Sequence, residues 1–286
     1  MHVESIPMRW HRGDNYAYLL IDDETLDSWL IDPAEPKDVI NYLQLKKDDR
    51  SVRSINSAPA AFNLPANYNL SSNLKAIVNT HHHYDHAGGN PFFSKLFPNL
   101  PIIAGKDSNL VSLVPSDNQV FKLGNNIEIT AIHTPCHTVD SICYFATDLK
   151  TRKKVAFTGD TLFTAGCGRF FEGNGEDMDN SLNVKLKTAL PKDTIIYPGH
   201  EYTKDNIKFA KSVLKNNLLL SFVESQIKDK EYTTGLFTIE DEINFNPFMR
   251  IEDEEVLIAT NSAINSSQDR FKIMDKLREM KNNFKS

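Results

Sequence analysis

Thr80 to Asn90 reads THHHYDHAGGN and follows LKAIVN, an apolar run of the right length for a buried strand. Within six positions the stretch presents His81, His82, His83, Asp85 and His86. A strand that delivers imidazoles and a carboxylate into a glycine-containing loop reads as a metal site. In an extended segment alternate side chains share a side, so His81 and His83 can meet one ion while His82 and Tyr84 point away. Asp85 and His86 are adjacent and cannot stay on one side of a strand. A turn at Asp85, with a helix entered near Gly88 and Gly89, would aim them at a second ion. The alternative is a surface histidine cluster or tag, but a tag sits at a terminus and holds no Asp.

Upstream, YAYLLI and DSWLIDP read as strands around the acidic turn IDDETL, the second ending at Asp32 and Pro33. Lys37 to Lys47 carries a helical apolar stripe. Asp48 to Asn73 is polar and without a period, and reads as a long surface loop of structural rather than catalytic character. Downstream, PFFSKLF reads as a short helix and PIIAG as a strand. Gln119 to Ile132 reads as a hairpin about GNN. It runs into HTPCHT, where His133 and His137 flank Pro135. SICYFA and KKVAFTGD are further strands, the second delivering Asp160. Leu182, Leu186 and Leu190 repeat at helical spacing. DTIIYPGHEY is a strand that ends in His200. After Thr203 the patterns turn helical, in IKFAKSVLKNNLLLSFVESQI and FKIMDKLREMKNNF. The expected organisation is a strand-rich catalytic domain over 1–201 and a helical substrate-binding domain over 202–286.

Seven of the nine histidines fall in the strand-end motifs THHHYDH, HTPCHT and YPGHEY, a concentration that chance scatter does not give. His81, His83 and His137 can supply one ion, and Asp85, His86 and His200 the other. The two oxygens of Asp160 can then span both, which gives Asp85 and Asp160 the catalytic roles among the carboxylates. Taken singly, Asp160 could close the TGDT turn and His200 could be a turn histidine. His133, at its strand end, reads as structural, and His82 as an outward-facing residue that orients the loop. Cys136 could offer a thiol, but the nitrogen and oxygen set is already complete. Imidazole and carboxylate suit zinc, iron and manganese, with zinc the first expectation.

Composition narrows the partners. The 286 residues carry a net charge of -6, with 40% hydrophobic and 24% charged residues, the balance of an ordinary globular protein. An acidic chain disfavours general attraction to nucleic acid or an anionic membrane surface. No apolar run approaches the length of a membrane span. Cys136, Cys143 and Cys167 are odd in number and form no CxxC pair, which fits a reducing compartment. The start, MHVESIPMRWHRGDN, has neither a secretory core nor a transit-peptide bias. A cytoplasmic monomer acting on a small molecule is the expectation.

With these motifs in place the chain resembles the metallo-β-lactamase superfamily, through THHHYDH, HTPCHT, TGDTLF and YPGHEY in that order over residues 10 to 203. Within it the chain is similar to glyoxalase II, the hydroxyacylglutathione hydrolases. That narrower resemblance rests on GCGRFFEG at Gly166 to Gly173, GHEYT at Gly199 to Thr203, NPFMR at Asn246 to Arg250, and a basic terminal helix with Arg278 and Lys281. It implies an αββα sandwich followed by a helical domain, with two divalent ions per chain and Asp160 between them. It also implies hydrolysis of S-2-hydroxyacylglutathione thioesters, typically S-D-lactoylglutathione, to glutathione and D-lactate. That is the second step of methylglyoxal detoxification. A water held between two cations would supply the hydroxide near neutral pH.

On the same resemblance, Arg169, Tyr202, Arg278 and Lys281 hold the glutathione moiety. Many members have Lys in place of Arg169, which keeps the charge but changes the donor geometry. Phe171 stands where some members carry a tyrosine, so one hydroxyl of that subsite is missing. Alternatives of the same fold are a phosphodiesterase acting on RNA and an iron-dependent persulfide dioxygenase. An alternative of another class is a non-catalytic protein that binds glutathione conjugates. The acidic balance counts against the first, the helical extension against the second, and the complete ligand set against the third.

Overall fold

The computed structural model describes residues 1–9, 11–48, 64 and 67–285. Two five-stranded sheets form its centre. The first runs in the order β1 (His2–Met8), β2 (Asn15–Ile21), β3 (Ser28–Ile31), β4 (Leu74–Val78) and β5 (Ile102–Ile103). Its first three strands are antiparallel and its last three parallel. The second sheet contains β6 (Gln119–Leu123), β7 (Ile127–His133), β8 (Ile142–Asp148) and β9 (Lys154–Gly159), an antiparallel meander. β9 leads into a two-stranded ribbon, β10 (Leu162–Phe163) with β11 (Gly166–Cys167). Beyond the ribbon, β12 (Ile195–Pro198) returns parallel to β9 at the edge of the second sheet.

The sheets pack face to face because alternate residues of both are apolar. Tyr18, Leu20, Trp29, Ile31 and Val78 of the first meet Ile129, Ala131, Tyr144 and Phe157 of the second in one buried cluster. Each large side chain so buried contributes about 1.5–3 kcal/mol. The outer face of the first sheet is covered by the helix Pro36–Asp48, through Val39 and Leu43, and by Phe93 of the helix Asn90–Leu96. The outer face of the second is covered by helices that continue to the C-terminus, in a cluster joining Leu182, Leu186, Ile207, Phe245, Phe248 and Leu277. This is the αββα sandwich with a helical C-terminal region.

Several elements depart from expectation. β1 was not foreseen: HVESIPM buries Glu4, Ile6 and Met8 on one side but carries Pro7, which an edge strand tolerates. The loop expected over Asp48 to Asn73 lies mostly outside the described residues. Its described end is not bare surface, since Leu64 and Tyr68 are buried in the outer core and Leu70–Asn73 is a helical turn capped by Asn69. The Leu182 to Leu190 stripe belongs to a helical stretch that starts earlier, at Gly175 behind an Asn174 capping box, and widens to a π-helix over Asn180–Leu186.

After Thr203 the first long helical pattern splits into Thr203–Val213 and Leu218–Ile227, the second capped by Asn217. Helices Ile239–Phe245 and Glu254–Ala259 fill the region between this pair and the terminal helix Ser267–Asn283. Phe271 in the terminal helix and Phe284 just after it are only half-buried. Its docking face is Ile273, Met274, Leu277 and Arg278. Among the described residues no helix is long and apolar enough to cross a membrane.

Candidate metal centre

The expected ligands leave the sandwich at one edge, from the C-terminal ends of β4, β9 and β12 and the loop between β7 and β8. β4 ends at Val78, so His81 and His83 stand in a bend and not in an extended strand. The bend still faces them together, His81 Nε2 lying 3.1 Å from His83 Nδ1. His83 is also the N-cap of a helical turn, Tyr84–Ala87, which begins before the glycines and not at them. That early turn throws Asp85 and His86 toward His200. His82 leaves the cluster on the other side, its Nδ1 2.8 Å from Asp140 Oδ1. His133 likewise stays apart, with Nε2 on the Pro115 carbonyl, and Cys136 Sγ donates to the Asn174 carbonyl.

Among the described residues four groups of potential ligand atoms result: His81, His83 and His137; Asp85, His86 and His200; His81, His86 and Asp160; and, apart from these, His82 with Asp107 and Asp140. His137 Nε2 lies 3.1 Å from His83 Nδ1 and 3.4 Å from Asp160 Oδ2. On the other side His86 Nε2 is 3.3 Å from His200 Nε2 and 3.3 Å from Asp160 Oδ1. His200 Nε2 is in turn 3.4 Å from Asp160 Oδ2 and 3.5 Å from Asp85 Oδ2. The two oxygens of Asp160 therefore face the two groups at once. Gly199 permits this approach, since a Cβ there would stand 2.4 Å from Asp160 Oδ1 and 2.7 Å from His86 Cε1.

The outer nitrogens settle the tautomers. His86 Nδ1 donates to Asp32 Oδ2 at 2.9 Å, His200 Nδ1 to the Gly13 carbonyl at 2.7 Å, and His137 Nδ1 to the Arg169 carbonyl at 2.9 Å. Thr80 Oγ1 donates to Asp32 Oδ2 at 2.7 Å, so Thr80 Oγ1 itself accepts from His81 Nδ1 at 3.1 Å. In the neutral rings the Nε2 atoms of His81, His86, His137 and His200 then turn lone pairs inward, with His83 Nδ1 3.1 Å from those of His81 and His137. Among the described residues Asp160 Oδ1 is buried without a hydrogen-bond partner, His86 Nε2 standing 3.3 Å away. Such an arrangement is repulsive unless a cation sits inside it. Zinc–nitrogen bonds of about 2.0–2.1 Å give tetrahedral edges of about 3.3–3.4 Å, close to the separations found.

Where no cation is bound, a proton on His86 takes over part of its role beside Asp160. Burial lowers the pKa of His81 well below the imidazole value, with His86 adding to the shift. Burial would also lower His86, but Asp160 and Asp32 overcome it and hold the ring well above its usual value. For Asp160 burial raises the pKa, and His200 and His86 reverse it to well below the carboxylate range. A carboxylate this acidic in a buried site is one that expects positive charge.

Sequence reasoning missed two residues. Asp32 is buried at φ 50° and binds Thr80 N–H at 2.7 Å as well as Thr80 Oγ1 and His86. It therefore orients ligands of both groups. Asn15 Nδ2 donates to the Asp85 carbonyl and Oδ2 at 3.1 and 3.2 Å. The one available signal was the IDP ending of β3, a short strand that stops on a carboxylate beside THHHYDH in the sheet.

The ligand groups form the floor of a cavity of about 770 Å³ whose walls bring in Phe163, Arg169, Phe171, Tyr202, Arg278 and Lys281. Tyr202 stacks on His200 at 4.6 Å and 11°. Phe171 stands edge-on to His137 and His83, at 5.2 and 5.7 Å. Arg278 is buried and donates from Nη1 to the Cys167 carbonyl at 2.7 Å and from Nε to Asn282 Oδ1 at 3.1 Å. Lys281 Nζ donates to the Asp205 carbonyl at 3.1 Å and lies over the rings of Phe209 and Phe284. Burial and then Arg278 lower the Lys281 pKa to about 8.

The family model of the metallo-beta-lactamase superfamily matches residues 13–112 and 105–200, and the hydroxyacylglutathione hydrolase C-terminus model matches 201–284. The hydroxyacylglutathione hydrolase, cytoplasmic isozyme, of Saccharomyces cerevisiae is 45% identical over 99% of each chain. The hydroxyacylglutathione hydrolase, mitochondrial, of the same yeast is 43% identical over 99% of this chain and 96% of its own. In fold, ETHE1 from Myxococcus xanthus is similar with a TM-score of 0.60 at 21% identity, covering 98% of this chain and 97% of the other.

Proposed function

Because the chain belongs to the hydroxyacylglutathione hydrolase family of the metallo-β-lactamase superfamily, we infer that it is a thioester hydrolase releasing glutathione and a 2-hydroxy acid. The substrate in this reading is S-D-lactoylglutathione, the products glutathione and D-lactate, and the setting the second step of methylglyoxal detoxification. The observation that carries the reading is Asp160 set within 3.3–3.4 Å of His86, His137 and His200, in a cavity also lined by Arg278 and Lys281.

Two divalent ions are assigned to the centre, with zinc as the first choice of metal. His81, His83 and His137 would hold one, and Asp85, His86 and His200 the other, with Asp160 shared. Bound there, the cations supply Lewis acidity for the thioester carbonyl and a water acidic enough to attack near neutral pH. The chain's own residues do the rest. Asp32, Gly13 and Arg169 hold His86, His200 and His137 in the tautomers that present Nε2 inward. Phe171 and Tyr202 wall the reacting centre, and Arg169, Tyr202, Arg278 and Lys281 fix the peptide of the substrate. The leaving thiolate has a pKa near ~8.5, so no strong general acid is needed.

In this reading residues 202–286 form the substrate-binding domain, and one chain suffices, since the cavity wall is built from its own side chains. Cytoplasmic residence follows the cytoplasmic isozyme of yeast, while the mitochondrial relative shows that the family occupies two compartments. Metal analysis of the purified protein, paired with hydrolysis of S-D-lactoylglutathione, tests the whole. Two metals per chain and turnover are expected. Full activity with one metal per chain would remove the dinuclear centre, and a single iron would favour the dioxygenase alternative.

A further inference from the structure

We propose that Glu172 binds the ammonium group of the γ-glutamyl end of the substrate, an inference that rests on the glutathione-thioester reading. A glutathione moiety carries two carboxylates and one ammonium, and the residues so far assigned to it are all cationic or aromatic. The ammonium needs an anion. Apart from the metal-centre carboxylates, the cavity is lined by two acids, Asp205 and Glu172. Asp205 Oδ1 is taken by Lys208 at 2.9 Å, and its backbone carbonyl accepts from Lys281.

Glu172 is placed differently. Its Oε2 accepts from the Val139 N–H at 2.6 Å, and its own N–H donates to the Cys136 carbonyl at 3.3 Å. Both contacts tie it to the loop that carries His137, so the carboxylate is held at the rim and does not swing freely. Among the described residues its Oε1 meets no cation at hydrogen-bond distance, His82 Nε2 lying 3.7 Å away. The preceding residue, Phe171, packs against His83 and His137. Arg278 and Lys281 are instead anchored to Cys167 and Asp205. The cleft therefore has an anionic rim beside the first imidazole group and a cationic wall on the terminal helix. A peptide thiol carrier with a carboxylate at one end and an ammonium at the other matches this polarity, and the thioester then falls over the ligand groups.

Glu172→Gln removes the charge and keeps an acceptor for the Val139 N–H, so the loop stays anchored. The probes are S-methylglutathione, which cannot be hydrolysed, and its N-acetyl derivative, which lacks the ammonium. Both are titrated calorimetrically into metal-loaded wild type and variant. The carboxylate is partly exposed, so the expected loss is about two- to fivefold in affinity for S-methylglutathione, with no change for the N-acetyl compound. Equal loss for both compounds, or no loss for either, overturns the assignment. Turnover of S-D-lactoylglutathione is read in parallel. Charge-dependent binding without turnover would sink the hydrolase reading alone, and turnover with binding indifferent to Glu172 would sink this subsite alone.

Discussion

Replacing Lys281 by Met should weaken substrate binding, and the structure gives both the size and the pH window of the effect. Met retains the aliphatic stem and removes the ammonium, which lies over the Phe209 and Phe284 rings. A charge-assisted hydrogen bond to a carboxylate is worth about 1.5–3 kcal/mol. Lys281 is only partly buried, so about 1–2 kcal/mol is the better figure, a rise in KM of roughly 5- to 30-fold with kcat little changed. The sign with pH follows from the pKa of about 8. Below that value the ammonium is present and the carboxylate is bound. As pH rises through it the proton is lost, and kcat/KM should fall toward the level of Lys281→Met. Because kcat/KM titrates groups of the free enzyme, its alkaline limb reports this pKa directly. kcat should show no such limb, since loss of the ammonium acts on KM. Initial rates on S-D-lactoylglutathione from pH 6 to 9.5 measure both. An unchanged KM in Lys281→Met, or an alkaline limb that persists in the variant, would refute the argument. An N-acetylated thioester run alongside removes titration of the substrate amine.

Asp160→Ala should abolish most activity and release metal, whereas His82→Ala, turned toward Asp140, should lose far less; equal losses at equal metal content would contradict the shared-carboxylate assignment. Asp32→Asn should lower metal affinity about 10–100-fold, because His86 and, through Thr80, His81 lose their orientation; chelator competition on the purified variant reads this without any turnover. Glu242→Gln should flatten the pH dependence of stability. Burial raises the Glu242 pKa to about 8, above its unfolded value, so its contribution is complete below about pH 4.3 and lost as pH rises through 8. Melting curves at pH 5 and pH 9 should show the variant gaining on wild type with rising pH, by on the order of 2–4 kcal/mol, and parallel curves would be the opposing result.

The sandwich was legible because its strands are short, apolar and punctuated, and because seven histidines collect at three strand ends. Histidines gather at the ends of separate strands only if the fold brings those ends together. The details that failed were set by tertiary context. THHHYDH looks like the tail of a strand, but β4 stops at Val78 and the bend after it gives His81 and His83 different inner nitrogens, Nε2 and Nδ1. β1 escaped because its buried face sets the carboxylate of Glu4 beside Ile6 and Met8, and because Pro7 reads as a break that an edge strand tolerates. Asp32 escaped because a carboxylate three residues beyond a Trp in DSWLIDP carries no local mark of its partners, which lie 48 and 54 positions away.

The terminal helix shows how far spacing alone can carry a functional argument. Arg278 and Lys281 are three apart, and on an amphipathic helix such a pair is ordinarily a solvated face. In the structure Arg278 belongs to the docking face itself. Its guanidinium is buried beside Phe248 and caps the Cys167 carbonyl, one residue before Gly168, where a Cβ would collide with the Asp160 carbonyl at 2.0 Å and with His137 Nδ1 at 2.8 Å. The arginine thus has a structural partner on the loop that supports the metal centre, in addition to any carboxylate it receives. Removing it leaves a buried carbonyl without a donor, at a cost of about 1–3 kcal/mol, and disturbs the loop that carries Arg169. Arg278→Ala should accordingly lower kcat as well as raise KM, whereas Lys281→Met should act on KM alone. Steady-state kinetics of the two single variants separate these cases, and a pure KM effect in Arg278→Ala would show that the Cys167 contact does not support the catalytic loop.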